Sequence, residues 1–222
     1  MAAFQAIFGK ELRLEWRTKE SVAVMFIFAL AVILLFAFAF NAGSASIKLF
    51  APGLLWMTYF FSAVLGLLRS FGREREMDAY DMLLSSPIDR SAIYLGKTAA
   101  FVVLLVLTQL LSLPLFALFL DIPLTASAPM LIVVFLLADI AIAAVGTVVA
   151  GLGLRSPQGD TLLPVLLFPL LTPSLIAATR STAAALAGRP AAEYDVWLML
   201  LVTYCVVFLL LGAFIFDYIS EQ

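Results

Sequence analysis

Six times along the chain, apolar residues run for about twenty positions with almost no charge, and short polar stretches separate the runs. A helix rises about 1.5 Å per residue and the hydrocarbon core of a bilayer is about 30 Å thick, so each run has the length of a membrane-spanning helix. The predicted spans are 21–40, 49–68, 98–120, 129–152, 161–179 and 196–216, with NAGSASIK between the first two and RSPQGD between the fourth and fifth. Ala37, Phe38 and Ala39 form an A-x-A triplet that resembles a signal cleavage site. The first run is about twice as long as a signal core of about 7–15 residues, and a charged leader precedes it, so it is expected to be retained. In that leader Phe4, Ile7, Phe8, Leu12 and Trp16 recur at spacings of three and four, while Lys10, Arg13, Arg17 and Lys19 take other positions. This predicts an amphipathic interfacial helix over 1–20, its apolar face among acyl chains and its basic residues near headgroups.

Composition supports lipid as the main solvent. Of 222 residues, 64% are hydrophobic and 13% are charged, against about 45–50% and about 25% in ordinary soluble chains. The net charge of -2 creates no field that attracts a polyanion, which argues against nucleic-acid binding. Placement of the charges sets orientation. Lys10, Arg13, Arg17, Lys19, Arg69, Arg73, Arg75, Arg90, Lys97 and Arg155 share the side of the N-terminus, and only Lys48, Arg180 and Arg189 lie on the other. Positively charged short loops stay in the cytoplasm, so both termini are expected there.

Several chemistries are excluded by residue type. The chain has no histidine and one cysteine, Cys205, inside an apolar run. There is thus no disulfide framework, no cysteine-rich metal site and no histidine general base or haem ligand. No H-E-x-x-H or G-x-S-x-G is present. The stretch SAIYLGKT, Ser91 to Thr98, ends like a phosphate-binding loop, but Ser91 stands where the first glycine is required and the segment feeds a membrane span.

The polar positions that do stand out lie in two places. The segment Arg69 to Lys97 is the largest on the N-terminal side, with Met77, Tyr80, Leu83 and Leu84 at helical spacing, Pro87 to stop a helix, and Asp89 or Ser91 to cap the next. It reads as a helix, turn, helix element beneath the bilayer, displaying apolar residues that fit a docking partner. Within the membrane, Asp139 is the only acidic residue in the middle of a span. An aspartate there costs about 2.5–3.5 kcal/mol, so it is expected to face the bundle interior and to be paired or protonated, either as a functional group or in a structural hydrogen bond to Gln109 or a threonine. Gly146, Ala150, Gly151 and Gly153 permit close helix packing in the fourth span, and Pro164, Pro169 and Pro173 predict that the fifth is kinked or broken.

Three stretches carry a family resemblance: APGLLWMTYFFSAVLGLLRSFGRE (Ala51 to Glu74), EMDAYDMLLSSPIDRSAIYLGK (Glu76 to Lys97) and LLFPLLTPSLIAAT (Leu166 to Thr179). With them the chain resembles the CcmB family, the B subunit of the haem exporter used in cytochrome c maturation, an ATP-binding cassette permease of the ABC-2 class. The middle stretch is similar to an ABC-2 pattern E-x-G-T-x-x-x-L-L-x-x-P followed by G-K, although Asp78 and Ala79 stand where that pattern has Gly and Thr. The resemblance implies an all-helical, six-span permease forming one domain over 1–222, in the inner membrane of a bacterium, without catalytic residues or a metal of its own. It implies that a separate CcmA-like ATPase docks on the coupling loop 69–97, with Glu76, Leu83, Leu84, Ser86 and Pro87 as contact candidates. It further implies a CcmC-like haem-handling partner, a small accessory subunit and two copies per complex, with ATP used by the partner and haem as a passing substrate. Alternatives are an ABC-2 exporter of another lipid, polymer or drug-like molecule, an intramembrane enzyme using Asp139 with arginines, and a structural assembly factor.

Overall fold

Apolar segments that have no water to satisfy their backbone must bond internally, and this chain does so by forming helices throughout. The computed structural model describes residues 2–41, 43–76, 89–124, 128–154, 159–190 and 193–219. Among the described residues the elements are α1 (Ala2–Thr18), α2 (Glu20–Ala39), α3 (Ala45–Glu76), α4 (Arg90–Leu120), α5 (Ala128–Leu154), α6 (Gly159–Leu186) and α7 (Asp195–Ile219), with no strand. The six helices α2 to α7 are long and apolar enough to cross a membrane, and they correspond to the six expected spans. α3 to α7 all run past their expected apolar windows. The charged residues around 69–76 extend α3 and those around 90–97 open α4, so the two helical arms expected of the segment 69–97 are continuous with the spans.

In α3 and α5, 67% of the most apolar window is buried by the protein, against 17% in α2 and α7. The bundle is therefore built around α5, which packs against α3, α4, α6 and α7, while α2 and α7 stand at the periphery. α2 meets its neighbours through a single stripe at four-residue spacing, Met25, Ala29 and Ile33. Close approach depends on missing side chains. A Cβ at Gly146 would meet Leu67 of α3, one at Gly66 would meet Met25 of α2, and one at Gly212 would collide with the buried ring of Tyr94. Gly146 thus fulfils the close packing expected of the fourth span, with α3 as its neighbour.

The turn from α2 to α3 uses Gly43 at φ 70°, a conformation that side chains disfavour. Gly43 N–H donates to Leu120 O at 3.1 Å, pinning this turn to the far end of α4. At the opposite end, Ile7 of α1, Ile93 and Tyr94 of α4, Val148 of α5 and Phe216 of α7 form one buried cluster, which brings the two ends of the chain together.

α6 passes through Pro164, Pro169 and Pro173 as one uninterrupted helix. Of the two expectations, kinked or broken into half-helices, the continuous helix leaves the first. Each proline removes a backbone donor and crowds the preceding turn, so Pro169 and Pro173 leave the carbonyls of Val165 and Pro169 without their helical donors. Hydroxyls reach other carbonyls of this stretch: Thr172 Oγ1 donates to Phe168 O at 2.7 Å, Ser174 Oγ donates to Leu171 O at 2.8 Å, and the Tyr204 hydroxyl donates to Leu170 O, tying α7 to α6. The segment Ser91 to Thr98 is likewise helical. Asp89 caps α4, its Oδ1 accepting from Ser91 N–H at 3.2 Å, and a helix from Arg90 onward leaves no loop to cradle a phosphate.

Candidate functional site: the stalk end and the buried polar pair

Two helices, α3 and α4, lead to and from the segment 77–88, and their adjoining turns form the first candidate site. The four leading candidates for an ATPase contact, Leu83, Leu84, Ser86 and Pro87, lie outside the described residues, as do Met77 and Tyr80. Glu76 is the last residue of α3.

Beside Arg73 of α3 and the first turns of α4 lies α1, and it does more than float in an interface. Ile7 rests over Gly96 of α4, where an added Cβ would meet Ile7 Cγ2 at 3.0 Å. Glu11 Oε1 accepts from Lys97 Nζ at 2.9 Å, and the ammonium stands 5.0 Å from the Phe71 ring centroid. Glu15 Oε2 accepts from Arg73 Nη2 at 2.9 Å. Arg73 also donates to Thr18 Oγ1 at 2.7 Å and to Ser21 Oγ at 2.8 Å, while Glu15 Oε1 accepts the Val22 backbone N–H at 3.0 Å. One carboxylate thus caps the start of α2 and pairs with α3, and Arg73 grips both sides of the elbow at Lys19, whose φ is 55°. Trp16 of the apolar face is 79% exposed, while the face that α1 turns to the bundle carries the two glutamates.

The electrostatics follow from this packing. Burial opposes ionisation of Glu15, but the Val22 amide, the Arg73 and Ser21 hydrogen bonds and the Arg73 charge outweigh it and hold the carboxyl below its ordinary range. Burial likewise opposes ionisation of Glu11, and the nearby Lys97 and Lys10 charges overcome it with the same net direction. Both side chains are therefore anions at neutral pH.

The second candidate lies inside the membrane. Gln109 Nε2 of α4 donates to Asp139 Oδ1 of α5 at 2.7 Å, and Asp139 is fully buried. This is one of the two structural partners the sequence allowed. Nearby, the Tyr59 hydroxyl of α3 and Ser112 Oγ are 3.1 Å apart, and Ser112 Oγ donates to Thr108 O at 2.7 Å. Among the described residues Asp139 Oδ2 has no partner, and no cluster of potential metal ligands is present. An amide and one acid, sealed from solvent, make a polar pin between α4 and α5. Asp139→Asn keeps an acceptor for Gln109 and is expected to leave activity near wild type. Asp139→Leu strands the buried amide and is expected to lower stability by about 1–3 kcal/mol, read as the unfolding midpoint in detergent; loss of activity in the Asn variant would make the carboxyl itself functional.

At the other end of α3, a groove of about 570 Å³ opens between α3 and α6, lined by Pro52, Gly53, Trp56, Met57, Phe168 and Arg180 among others. Trp56 closes its inner wall, donating from Nε1 to Thr182 Oγ1 at 2.9 Å.

Most of this helical chain is matched by known sequences. The sequence model of the CcmB protein family covers residues 2–219. Heme exporter protein B of Pseudomonas aeruginosa is 30% identical over 195 residues, which is 88% of this chain and 87% of that protein. Heme exporter protein B of Rhodobacter capsulatus is 31% identical over 172 residues, 78% of each chain. The protein of the same description from Paracoccus denitrificans is 28% identical over 172 residues.

Proposed function

This chain belongs to the CcmB family, and from that premise we propose that it is the permease subunit through which a partner ATPase drives haem export in cytochrome c maturation. It is a multi-pass membrane protein of the inner membrane. The observation that carries the mechanical reading is the reach of α3 and α4. At 32 and 31 residues they are about 48 and 46 Å long, well over the roughly 30 Å hydrocarbon thickness. Both therefore extend beyond the bilayer as stalks, and the short segment 77–88 joins their ends. A push on that segment is delivered directly to two helices that reach the far side.

In this reading the stalk end is cytoplasmic, as the distribution of lysine and arginine requires, and both termini are there as well. A CcmA-like ATPase contacts Glu76, Leu83, Leu84, Ser86 and Pro87, two copies of each chain work together, and a CcmC-like membrane partner with a small accessory subunit handles haem. The absence of histidine supports this division of labour: axial ligation of haem belongs to another chain, and this subunit performs work on cargo or on the chaperone that carries it.

Two measurements test the proposal. Deletion of the gene is expected to remove haem-stained c-type cytochromes, with recovery from a plasmid copy; unaltered cytochromes would favour an exporter of another substrate. Leu83→Asp with Leu84→Asp is expected to reduce the ATPase recovered with the purified membrane protein by about thirtyfold, the effect of removing an apolar hot spot, while the amount of this chain in the membrane is unchanged. An intact complex would overturn the docking assignment.

A further inference from the structure

We propose that Glu11, Glu15, Arg73 and Lys97 are positioning residues, forming a clasp through which α1 makes the α3 and α4 stalks move as one body. The inference rests on the ATPase-driven reading above and adds how the push is shared.

α3 and α4 touch each other over only a short stretch, and α2 packs against both. At this end their direct contact is the Lys97 ammonium, 5.0 Å from the Phe71 ring centroid, a cation–π contact. α1 supplies a second and more directional link. Its Glu15 is held by Arg73 of α3, and one turn earlier its Glu11 is held by Lys97 of α4, each at 2.9 Å. The two glutamates are four residues apart and so share one face of α1, each facing a different stalk. Ile7 seated on Gly96 prevents α1 from sliding along α4.

The clasp also reaches α2. Arg73 bonds Thr18 and Ser21 on either side of the Lys19 elbow, and Glu15 caps Val22. An elbow fixed at both sides transmits rotation of α1 into α2. All four elements at this end are therefore joined through two anions and two cations. Such buried pairs are weak devices for stability, since apolar residues of similar volume do as well. Their use is geometric: Glu15 accepts from Arg73 and Val22 at once, and Arg73 also donates to Thr18 and Ser21, so the full set of bonds forms in only one placement of the three helices.

The test uses the complex with its ATPase, in wild-type form and with Glu11→Gln plus Glu15→Gln. Nitroxides at Arg69→Cys on α3 and Leu95→Cys on α4, both exposed positions, report the distance between the stalks in a Cys205→Ala background. The expected result is retained ATPase and continued ATP hydrolysis, a broadened distance distribution in ATP, and a fall of about tenfold in haem-stained cytochromes per ATP hydrolysed, the size expected for broken coupling. A purely structural role would lower the amount of protein and leave that ratio unchanged. Should the double variant fail to accumulate, Lys97→Met alone opens the α4 side of the clasp and is read in the same way; the charge-exchanged pair Glu11→Lys with Lys97→Glu is expected to restore both distance and yield. An unchanged distance and ratio would overturn the clasp and leave the permease reading standing. A wild-type protein that holds no ATPase would overturn both.

Discussion

Arg73→Ala is expected to lower the stability of the folded protein by about 3–5 kcal/mol, the cost of stranding a buried charge. The side chains of Arg73 and Glu15 are only 12% and 7% exposed, so water cannot replace the lost guanidinium. The hydroxyls of Thr18 and Ser21 lose the same donor. The measurement is chemical unfolding in detergent, and a loss below about 1 kcal/mol would place the pair among surface bridges of little consequence. Replacing both partners by leucine is expected to cost less, about 1–2 kcal/mol, because no buried charge is stranded and the remaining defects are the uncapped Val22 amide and the donor lost to the Thr18 and Ser21 hydroxyls. The pair also has a pH signature. The folded carboxyl of Glu15 titrates below its ordinary value, so its stabilisation is complete above that value and is lost as pH falls through the depressed one. In Arg73→Ala burial is opposed less strongly, and the loss of stability on acidification is expected to be shallower.

Trp56→Ala is expected to cost about 3 kcal/mol, at the lower end of the range for removing a buried aromatic. The lower end applies because lipid is itself apolar, which leaves packing and hydrogen bonding as the main losses. The Trp56 ring lies 5.0 Å from that of Phe135 and 6.3 Å from that of Tyr59, centroid to centroid, and it is 1% exposed. Its removal therefore opens a void at the junction of α3, α5 and α6. Trp56→Phe keeps most of the ring contacts and loses only the bond to Thr182, an expected cost of about 1 kcal/mol. Equal losses in the two variants would assign the effect to that hydrogen bond and not to packing.

The six spans were legible because lipid imposes a single solution on the backbone: helices of a fixed minimum length, apolar on nearly every side. The Gln109–Asp139 pair was legible for a related reason, since an acid at that depth needs a donor and few are available. The stalks were legible in part. Helical spacing and the Asp89 cap pointed to helices within 69–97, and Asp89 does cap α4. Hydropathy, which stops counting at Arg69 and resumes at Thr98, did not show how far they continue the spans: α3 runs on to Glu76 and α4 begins at Arg90. The clasp was missed because its partners are remote: Lys97 is 86 residues from Glu11, and Arg73 is 58 from Glu15. Four-residue spacing of the two acids on α1 was visible, but the basic residues around them drew the reading toward lipid headgroups. The three prolines of α6 left two outcomes open, a kink or a break, and sequence spacing could not choose between them; the helix continues through all three.

The unequal burial of the spans sets an order for biosynthesis. α2 is the most apolar of the six, and α3 and α6, which pack against each other, are the least. At bacterial rates the ribosome needs on the order of ten seconds to pass from the end of α3 to the start of α6. During that interval α3 is already in the membrane, with the Trp56 indole still awaiting Thr182. α2 can leave the translocon on its own hydropathy and, with α5 once it follows, shelters α3 until α6 is made. The peripheral helix is thus secured first, and the middle of the bundle is completed late in translation.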